Sequence, residues 1–225
     1  MTAGDRRQEV LPADPAVLAD RIRHLHREGE RVLIGIVGAP GSGKSTLAAA
    51  VWDAVAGGSP PLVTALVPMD GYHLAQRVLD DTGLAAIKGA PATFDAAGYV
   101  ALLERLRDQR PDGAEVVYAP EFRRALEEPI AGAVPVTGEV PVVLTEGNYL
   151  LGHESPWCRI QALLTQTWYL DVPEELRLER LVSRHIAFGR SPAEACERAT
   201  TGSDGRNADY VRSTRSRADV LLRPV

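Results

Sequence analysis

The stretch that decides the fold covers residues 31–56 and reads RVLIGIVGAPGSGKSTLAAAVWDAVA. It begins with an almost continuous apolar run rich in β-branched side chains, which is typical of a strand buried on both faces of a parallel sheet. A glycine-rich turn follows the strand, and a strong helix pattern comes next, closed by Gly57 and Gly58. The order of strand, glycine-rich turn and helix predicts one unit of an α/β fold.

The turn from Gly38 to Ser45 fits the pattern G-x-x-x-x-G-K-[ST]. Its glycines allow left-handed backbone angles, so that successive N–H groups can face one anion, and the helix that follows points its positive end at the same place. Lys44 adds a full positive charge for the β- and γ-phosphates, and the Ser45 hydroxyl is a ligand for Mg²⁺. The predicted nucleotide-binding residues are Gly38, Ala39, Gly41, Ser42, Gly43, Lys44, Ser45 and Thr46. Thr46 either contacts the α-phosphate or is only a first-turn helix residue.

Strand and helix patterns keep alternating along the chain, which predicts a mostly parallel sheet. Further strands are expected at 62–69, 114–119, 140–145, 167–172 and 218–222, and further helices at 14–28, 96–110, 173–188 and 206–217. We interpret residues 1–30 as an N-terminal segment and helix packed on the core, and residues 31–225 as one nucleotide-binding domain. Residues 120–138 have the character of an irregular stretch, and the first thirteen residues are expected to be disordered.

Composition excludes several classes of function. The 225 residues include 25 Lys and Arg against 30 Asp and Glu, a net charge of −5, which argues against non-specific nucleic-acid binding. No apolar run approaches the roughly 20 residues that span a bilayer, so no membrane association is expected. The two cysteines give no disulfide scaffold. We expect a cytoplasmic protein, and a homodimer is the usual symmetric assembly for such a chain.

Two carboxylates follow predicted strands of the sheet. Asp70 comes after the second strand, and Glu146 comes directly after the strand VPVVLT. The carboxyl ends of parallel strands meet at one edge of a sheet, where ligands bind, so both residues should lie beside the phosphate loop. Asp70 is the candidate to accept a proton from a substrate hydroxyl, and Glu146 with Ser45 is the candidate Mg²⁺ site. The alternatives are a simple Asp-Gly turn and a surface carboxylate at a strand end.

An arginine-rich helix supplies the third element. Arg177, Arg180 and Arg184 share one face at spacings of three and four, and Arg190 follows the helix. We interpret Arg177 as part of a solvated face that pairs with neighbouring glutamates. Arg184 and Arg190 are interpreted as catalytic lid residues that neutralise charge on a transferred phosphoryl group.

Several segments together resemble the phosphoribulokinase/uridine kinase branch of P-loop kinases, and within it the short bacterial pantothenate-kinase-like proteins, some of them labelled sugar-transport-associated kinases. The segments are GAPGSGKST (38–46), MDGYHL (69–74), VLDDTGLAAIKGAPATFD (78–95), VVLTEGNYLL (142–151), YLDVPEELRLERLVSRHIAFGRS (169–191) and NADYVRSTRSRADVLL (207–222). The resemblance implies a P-loop NTPase three-layer sandwich with a parallel five-stranded sheet flanked by helices. It also implies an Arg-rich helical lid at about 177–205, with ATP and Mg²⁺ as cofactors.

The same resemblance implies roles for individual residues. Asp70 falls on the catalytic carboxylate, Glu146 on the acidic residue that ends the Walker B strand, and Lys88 on the acceptor side. Two departures concern the acceptor: Ile87 stands where an arginine usually precedes Lys88, and the later segment reads Phe122-Arg123-Arg124, with a base in place of an acid.

The candidate acceptor-binding residues are Asp70, Tyr72, His73, Lys88, Tyr118, Phe122, Arg124 and Tyr149. They combine apolar faces with hydrogen-bonding groups, which suits a small polyhydroxylated molecule. The leading hypothesis is an ATP-dependent kinase that phosphorylates a hydroxyl of a sugar, a nucleoside or a pantothenate-like alcohol. The alternative is a nucleotide-binding ATPase or regulatory protein without a small-molecule acceptor.

Overall fold

A computed structural model describes residues 8–225, and it contains one six-stranded parallel sheet. The sheet strands are β1 (Glu9–Pro12), β2 (Val32–Val37), β3 (Thr64–Leu66), β6 (Val142–Gly147), β7 (Gln166–Leu170) and β8 (Val220–Arg223), while β4 (Val116–Arg123) and β5 (Glu128–Thr137) form a separate hairpin. The strand order is β1-β8-β7-β2-β6-β3, which places β2 and β6 side by side in the middle. Both central strands are buried along their whole length, as the sequence of β2 predicts.

Helices cover the two faces of this sheet. They are α1 (Pro15–Leu25), α2 (Lys44–Ala56), α3 (Gln76–Thr82), α4 (Ala96–Asp108), α5 (Glu174–Ala187), α6 (Pro192–Thr200) and α7 (Ser203–Ser213). Short 3-10 turns occur at Met69–Tyr72, Ala85–Ile87, Pro91–Thr93, Trp157–Arg159, Gln161–Leu163 and Arg215–Arg217. Among residues 8–225, no helix is both long and apolar enough to cross a membrane.

Alternation along β2 shows how the sheet serves two cores. Ile34 and Ile36 pack with α1 and α2 on one face, whereas Leu33 and Val37 pack with α4 and the segments after β6 on the other. Successive side chains of a strand point to opposite faces, so a fully apolar strand can supply both. The predicted α/β three-layer arrangement is therefore confirmed.

The N-terminal segment corrects two expectations. Residues 9–12, expected to be disordered, form β1, which pairs in parallel with β8 and gives the sheet a sixth strand instead of five. The side-chain amide of Gln8 donates to the Arg215 and Ala218 carbonyls, both at 2.7 Å, and fixes the start of β1. The unpaired edge of β8 supplies the hydrogen-bond partners that the short segment lacks on its own. The prediction of disorder also covers residues 1–7, which lie outside the described residues.

The stretch expected to be irregular is also ordered. Residues 116–137 form the antiparallel hairpin of β4 and β5, so the strand expected at 114–119 belongs to this hairpin and not to the parallel sheet. Pro120 lies at a shift of register between Ala119 and Glu121, where a residue without an N–H costs no ladder hydrogen bond. The prolines and charges that suggested an irregular segment are thus accommodated by a bulge and by an exposed hairpin turn.

Candidate active site

The phosphate loop connects the end of β2 to the start of α2. Gly41 and Gly43 have φ angles of +86° and +91°, which favour glycine, and a Cβ at Gly41 would lie only 2.6 Å from the Arg177 carbonyl oxygen. No side chain caps the N-terminus of α2, so the first N–H groups of the helix have no side-chain partner there. N–H groups at a helix start, next to a lysine, are the groups that an anion site requires, so this geometry is compatible with the predicted phosphate site.

Helix α5 holds this loop from outside. Arg177 donates from Nη1 to the Pro40 carbonyl at 3.0 Å, and Arg180 donates from Nη1 to the Ser42 carbonyl at 3.0 Å. Arg177 pairs with Glu174, as expected, but only 3% of its side chain is exposed. The expectation of a solvated Arg177 is therefore wrong, because this guanidinium is buried between the loop and its own helix.

Ser45 and Glu146 meet at the first turn of α2. The Ser45 hydroxyl donates to Glu146 Oε1 at 2.8 Å, while the other carboxylate oxygen, Oε2, is buried and has no hydrogen-bond partner among the described residues. Burial raises the pKa of Glu146, and the Lys44 charge opposes that rise. A buried oxygen without a partner beside a hydroxyl fits Mg²⁺, which prefers oxygen ligands and keeps sites on water and phosphate. The residues present therefore fit the predicted ion.

Asp70 lies in the 3-10 turn that follows β3, close to both β6 and the hairpin. A Cβ at Gly71 would approach the Pro120 carbonyl oxygen to 2.4 Å, and one at Gly147 would approach the Met69 Cβ to 2.6 Å. The two glycines thus allow the backbone of the Asp70 turn to pack directly between two other segments. The Asp70 carboxylate faces Arg124, with 3.4 Å between Oδ2 and Nη2.

One cavity of about 450 Å³ joins the phosphate loop, the Asp70 turn, the hairpin and helices α5, α6 and α7. It is lined by Pro40, Lys44, Asp70, His73, Lys88, Gly89, Phe94, Phe122, Arg124, Glu127, Asn148, Arg184, His185, Phe188, Arg190, Arg198, Asp204 and Asn207. Lys44 and Asp70 therefore share one cavity with the predicted lid arginines and with four predicted acceptor residues. This arrangement places the lysine of the phosphate loop and the Asp70 carboxylate within one space.

Known proteins are similar to this chain in sequence and in fold, although no protein-family model matches the chain. A Schizosaccharomyces pombe protein named as a candidate uridine kinase is 32% identical over 217 residues, which cover 91% of this chain and 88% of that protein. The chain belongs to the P-loop kinases of the phosphoribulokinase/uridine kinase type. It is a small-molecule kinase, a phosphotransferase with an alcohol group as acceptor.

Other comparisons agree with this assignment. The uncharacterised Escherichia coli protein YggC is 34% identical over 195 residues, covering 85% of the kinase and 77% of that protein. A crystal structure of a candidate fructose transport system kinase from Silicibacter has a TM-score of 0.79 at 37% identity, covering 92% of the kinase and 98% of that chain. The YFH7 structure from Saccharomyces cerevisiae has a TM-score of 0.76 at 18% identity, covers 94% of the kinase and 99% of that chain, and supports the fold alone.

His73 lies next to Asp70 within an aromatic stack. Its ring centroid is 4.0 Å from that of Phe94 and 4.7 Å from that of Phe122. The Nδ1 atom is 2.8 Å from the Asp70 carbonyl oxygen, and because a carbonyl only accepts, Nδ1 carries the hydrogen. Burial lowers the pKa of His73, so the ring is neutral at pH 7 and its Nε2 is a hydrogen-bond acceptor. His73 is thus fixed to the backbone of the Asp70 turn and lines the same cavity as Asp70.

Lys88 connects the acceptor loop to the hairpin. Its Nζ donates to Gln76 Oε1 at 3.0 Å and to the Glu127 carbonyl at 2.9 Å, and it lies 3.7 Å from the Glu127 carboxylate. The ammonium also lies 5.6 Å from the centre of the Phe122 ring. Most of its hydrogen-bonding capacity is therefore used within the kinase, which leaves Lys88 chiefly as a wall of the cavity.

The three predicted tyrosines lie outside the cavity lining. Tyr149 is fully buried and donates to the Gly89 carbonyl at 2.5 Å, so it supports the wall from behind. Tyr72 packs 5.3 Å from Tyr99 between ring centroids, and burial raises its pKa to about 12. Tyr118 is 58% exposed on β4.

In the phosphate loop, Ser42 is buried with its hydroxyl unpaired among the described residues, and Thr46 is exposed.

Sequence reasoning missed the contribution of α7. Asp204 lies 2.7 Å from His185 Nε2 and 3.3 Å from Arg198 Nε, and Asn207 donates to the Gly89 carbonyl at 3.1 Å. Both α7 residues are nearly buried although they are polar, which marks them as part of a packed site. Their spacing of three on one helix face was a usable signal, but the helix was expected to begin at 206, after Asp204.

Proposed function

We propose that the kinase transfers the γ-phosphoryl group of ATP to a hydroxyl of a small polyhydroxylated metabolite, with Asp70 as the group that receives the hydroxyl proton. One observation carries the proposal: the Asp70 carboxylate shares a single cavity with Lys44 and Arg184. A base and a phosphate site facing the same space are the minimum for in-line transfer to an alcohol. The relatives' names supply the class of reaction.

Each residue has a distinct part in this proposal. The loop N–H groups and Lys44 bind the β- and γ-phosphates, and Ser45 and Glu146 hold Mg²⁺, which would neutralise phosphate charge and orient its oxygens. Asp70 orients the attacking hydroxyl and takes its proton as the new P–O bond forms, while the bond between the γ-phosphorus and the β,γ-bridging oxygen breaks and ADP leaves. Arg184 and Arg190 face the cavity from the lid side, where positive charge stabilises the equatorial oxygens of the transferred group.

The acceptor is proposed as a sugar, a nucleoside or a pantothenate-like alcohol. The relatives carry both of the first two classes in their names, uridine in the Schizosaccharomyces pombe protein and fructose in the Silicibacter protein. The cavity suits a small hydroxylated molecule, because its lining combines the apolar rings of Phe94 and Phe122 with the polar groups of His73 and Asp70. We place the acceptor between the hairpin and the Asp70 turn.

The experiment is a coupled ADP-release screen with MgATP against sugars, nucleosides and pantothenate-like alcohols, with Lys44→Ala as the blank. We expect one class of acceptor to raise ADP release well above the rate with water. On that acceptor, Asp70→Asn should reduce turnover at least about a hundredfold, because it removes the base. The matched control is Asp112→Asn, because Asp112 is an exposed carboxylate that is not among the cavity-lining residues.

Two results would contradict the proposal. ADP release that is equal with and without every acceptor would favour an ATPase without a small-molecule acceptor. Near-normal turnover by Asp70→Asn on the true acceptor would show that the carboxylate is not the base.

A further inference from the structure

Arg124 lines the cavity and makes a long polar contact with Asp70. It follows the end of β4 in the hairpin turn, and its side chain is 50% exposed. Within residues 8–225 its polar contact is with Asp70 Oδ2, at 3.4 Å. A charge-assisted hydrogen bond of this type is usually about 2.7–2.9 Å long, and a guanidinium has five N–H donors. The pair is therefore weak, and Arg124 keeps most of its donors for another partner.

A second arginine faces the same part of the cavity. Arg184 comes from α5 and lines the same cavity as Arg124 of the hairpin. Burial lowers the pKa of Arg184, and the neighbouring Arg124 charge lowers it further. Of the cavity carboxylates, Asp204 is already engaged by His185 and Arg198. Two like charges directed into one cavity repel each other, and an anion bound between them removes that cost.

We propose that Arg124 is a γ-phosphate ligand, which binds the phosphoryl group of ATP from the hairpin side. The proposal rests on the proposed kinase function and adds a residue from the acceptor hairpin to the transfer site. A guanidinium matches two phosphate oxygens at once, which makes phosphate a better partner than the single long contact with Asp70. When Arg124 turns to the phosphate, Asp70 is released to receive the acceptor hydroxyl.

The position of Asp70 explains why phosphate is favoured over an anionic group of the acceptor. In an in-line transfer, the hydroxyl that Asp70 contacts is also the atom that attacks the γ-phosphorus. A side chain within 3.4 Å of the Asp70 carboxylate is therefore within reach of the phosphoryl oxygens. Arg124 thus lies towards the nucleotide end of the cavity.

The test compares nucleotides that differ only in the γ-phosphate and needs no acceptor. The dissociation constants of MgADP and of the magnesium complex of a non-hydrolysable β,γ-imido ATP analogue are measured by titration calorimetry. We expect Arg124→Gln to weaken binding of the triphosphate about tenfold or more and to change MgADP binding less than twofold, since the lost bond is a charged one. Arg124→Lys should restore part of the triphosphate affinity, because it keeps the charge without the fork.

The matched control is Arg123→Gln, which removes the neighbouring exposed arginine and should leave both constants unchanged. Equal weakening of both nucleotides, or no weakening of either, would overturn the proposal. Arg124→Gln could also leave the ratio of the two dissociation constants unchanged and raise the KM for an anionic acceptor. That result would assign Arg124 to the acceptor and would overturn the proposal. The proposed function is tested separately, by ADP release of the wild-type kinase with its acceptor. If that activity is present, failure of the Arg124 proposal leaves the proposed function intact.

Discussion

Replacing Gly71 with alanine tests how the hairpin is positioned against Asp70. A Cβ at this position would lie 2.4 Å from the carbonyl oxygen of Pro120 and 2.7 Å from its carbonyl carbon, both backbone atoms of β4. Gly71 does not have a positive φ, so alanine fits its backbone angles and only the contact is unfavourable. Ordinary contact begins at 3.4 Å, so β4 has to move by about 1 Å away from the Asp70 turn.

Two consequences follow from a displacement of this size. Overpacking of a packed backbone contact costs about 1–3 kcal/mol of unfolding free energy. For a chain of this length each kcal/mol lowers Tm by about 2–4 °C, so we expect a loss of about 2–12 °C. The hairpin also carries Phe122 and Arg124 into the cavity, and a shift of about 1 Å in a positioned group can reduce turnover about a hundredfold.

The assay combines thermal denaturation with kcat and KM for the acceptor found in the ADP-release screen. Gly113→Ala is the matched control, because its Cβ would lie 3.2 Å from the Arg110 carbonyl oxygen in the same loop, which requires a shift of only about 0.2 Å, and Gly113 is not among the cavity-lining residues. We expect the control to keep its Tm and its turnover. A Gly71→Ala protein with wild-type Tm and wild-type KM for the acceptor would refute the reasoning that this glycine sets the spacing of the hairpin.

Two further predictions concern buried polar groups. Thr145 donates its hydroxyl hydrogen to the Val67 carbonyl, so the buried Tyr99 hydroxyl donates to Thr145, and Tyr99→Phe should lower the free energy of unfolding by about 1 kcal/mol in urea titrations. Tyr118→Phe, on an exposed ring, should cost nothing, and equal effects of both would contradict this account. Because burial lowers the pKa of His73 below 6.5, the unfolded chain binds a proton at higher pH than the folded chain. Stability should therefore fall as the pH is lowered below about 6.5, and less steeply in His73→Gln; identical slopes would exclude His73 as a source.

The sequence predicts the strand, turn and helix around the phosphate loop well because their determinants are local. The strand, the glycine turn and the helix of residues 31–56 are contiguous. Each residue type that the motif requires is needed there for a conformational or a chemical reason. Asp70 and Glu146 follow because the carboxyl ends of parallel strands always meet at one edge. The position of both residues beside the loop was thus set by topology, before any tertiary contact was known.

The acceptor half was harder to predict because its determinants are tertiary. The hairpin of β4 and β5 contains prolines at positions that a bulge and an edge strand tolerate, and nothing in the local pattern shows that tolerance. The strand β1 depends on the free edge of β8, which lies about two hundred residues away in sequence. Asp204 and Asn207 gain their place from the packing of α7 on the Gly89 loop, not from a motif. Such contacts are decided only when the chain is folded.

The arginines of α5 show how one helix can serve two tasks. Arg177 and Arg184 are seven residues apart, which is almost two turns, so they lie on the same face and about 10 Å apart along the axis. The first guanidinium reaches the Pro40 carbonyl of the phosphate loop, and the second reaches the cavity. The two residues have the same helical periodicity in the sequence, so periodicity alone does not show that Arg177 is buried. What separates them is position along the helix: the buried end braces the loop, and that fixed end sets the distance at which Arg184 meets the phosphoryl group in the proposed reaction.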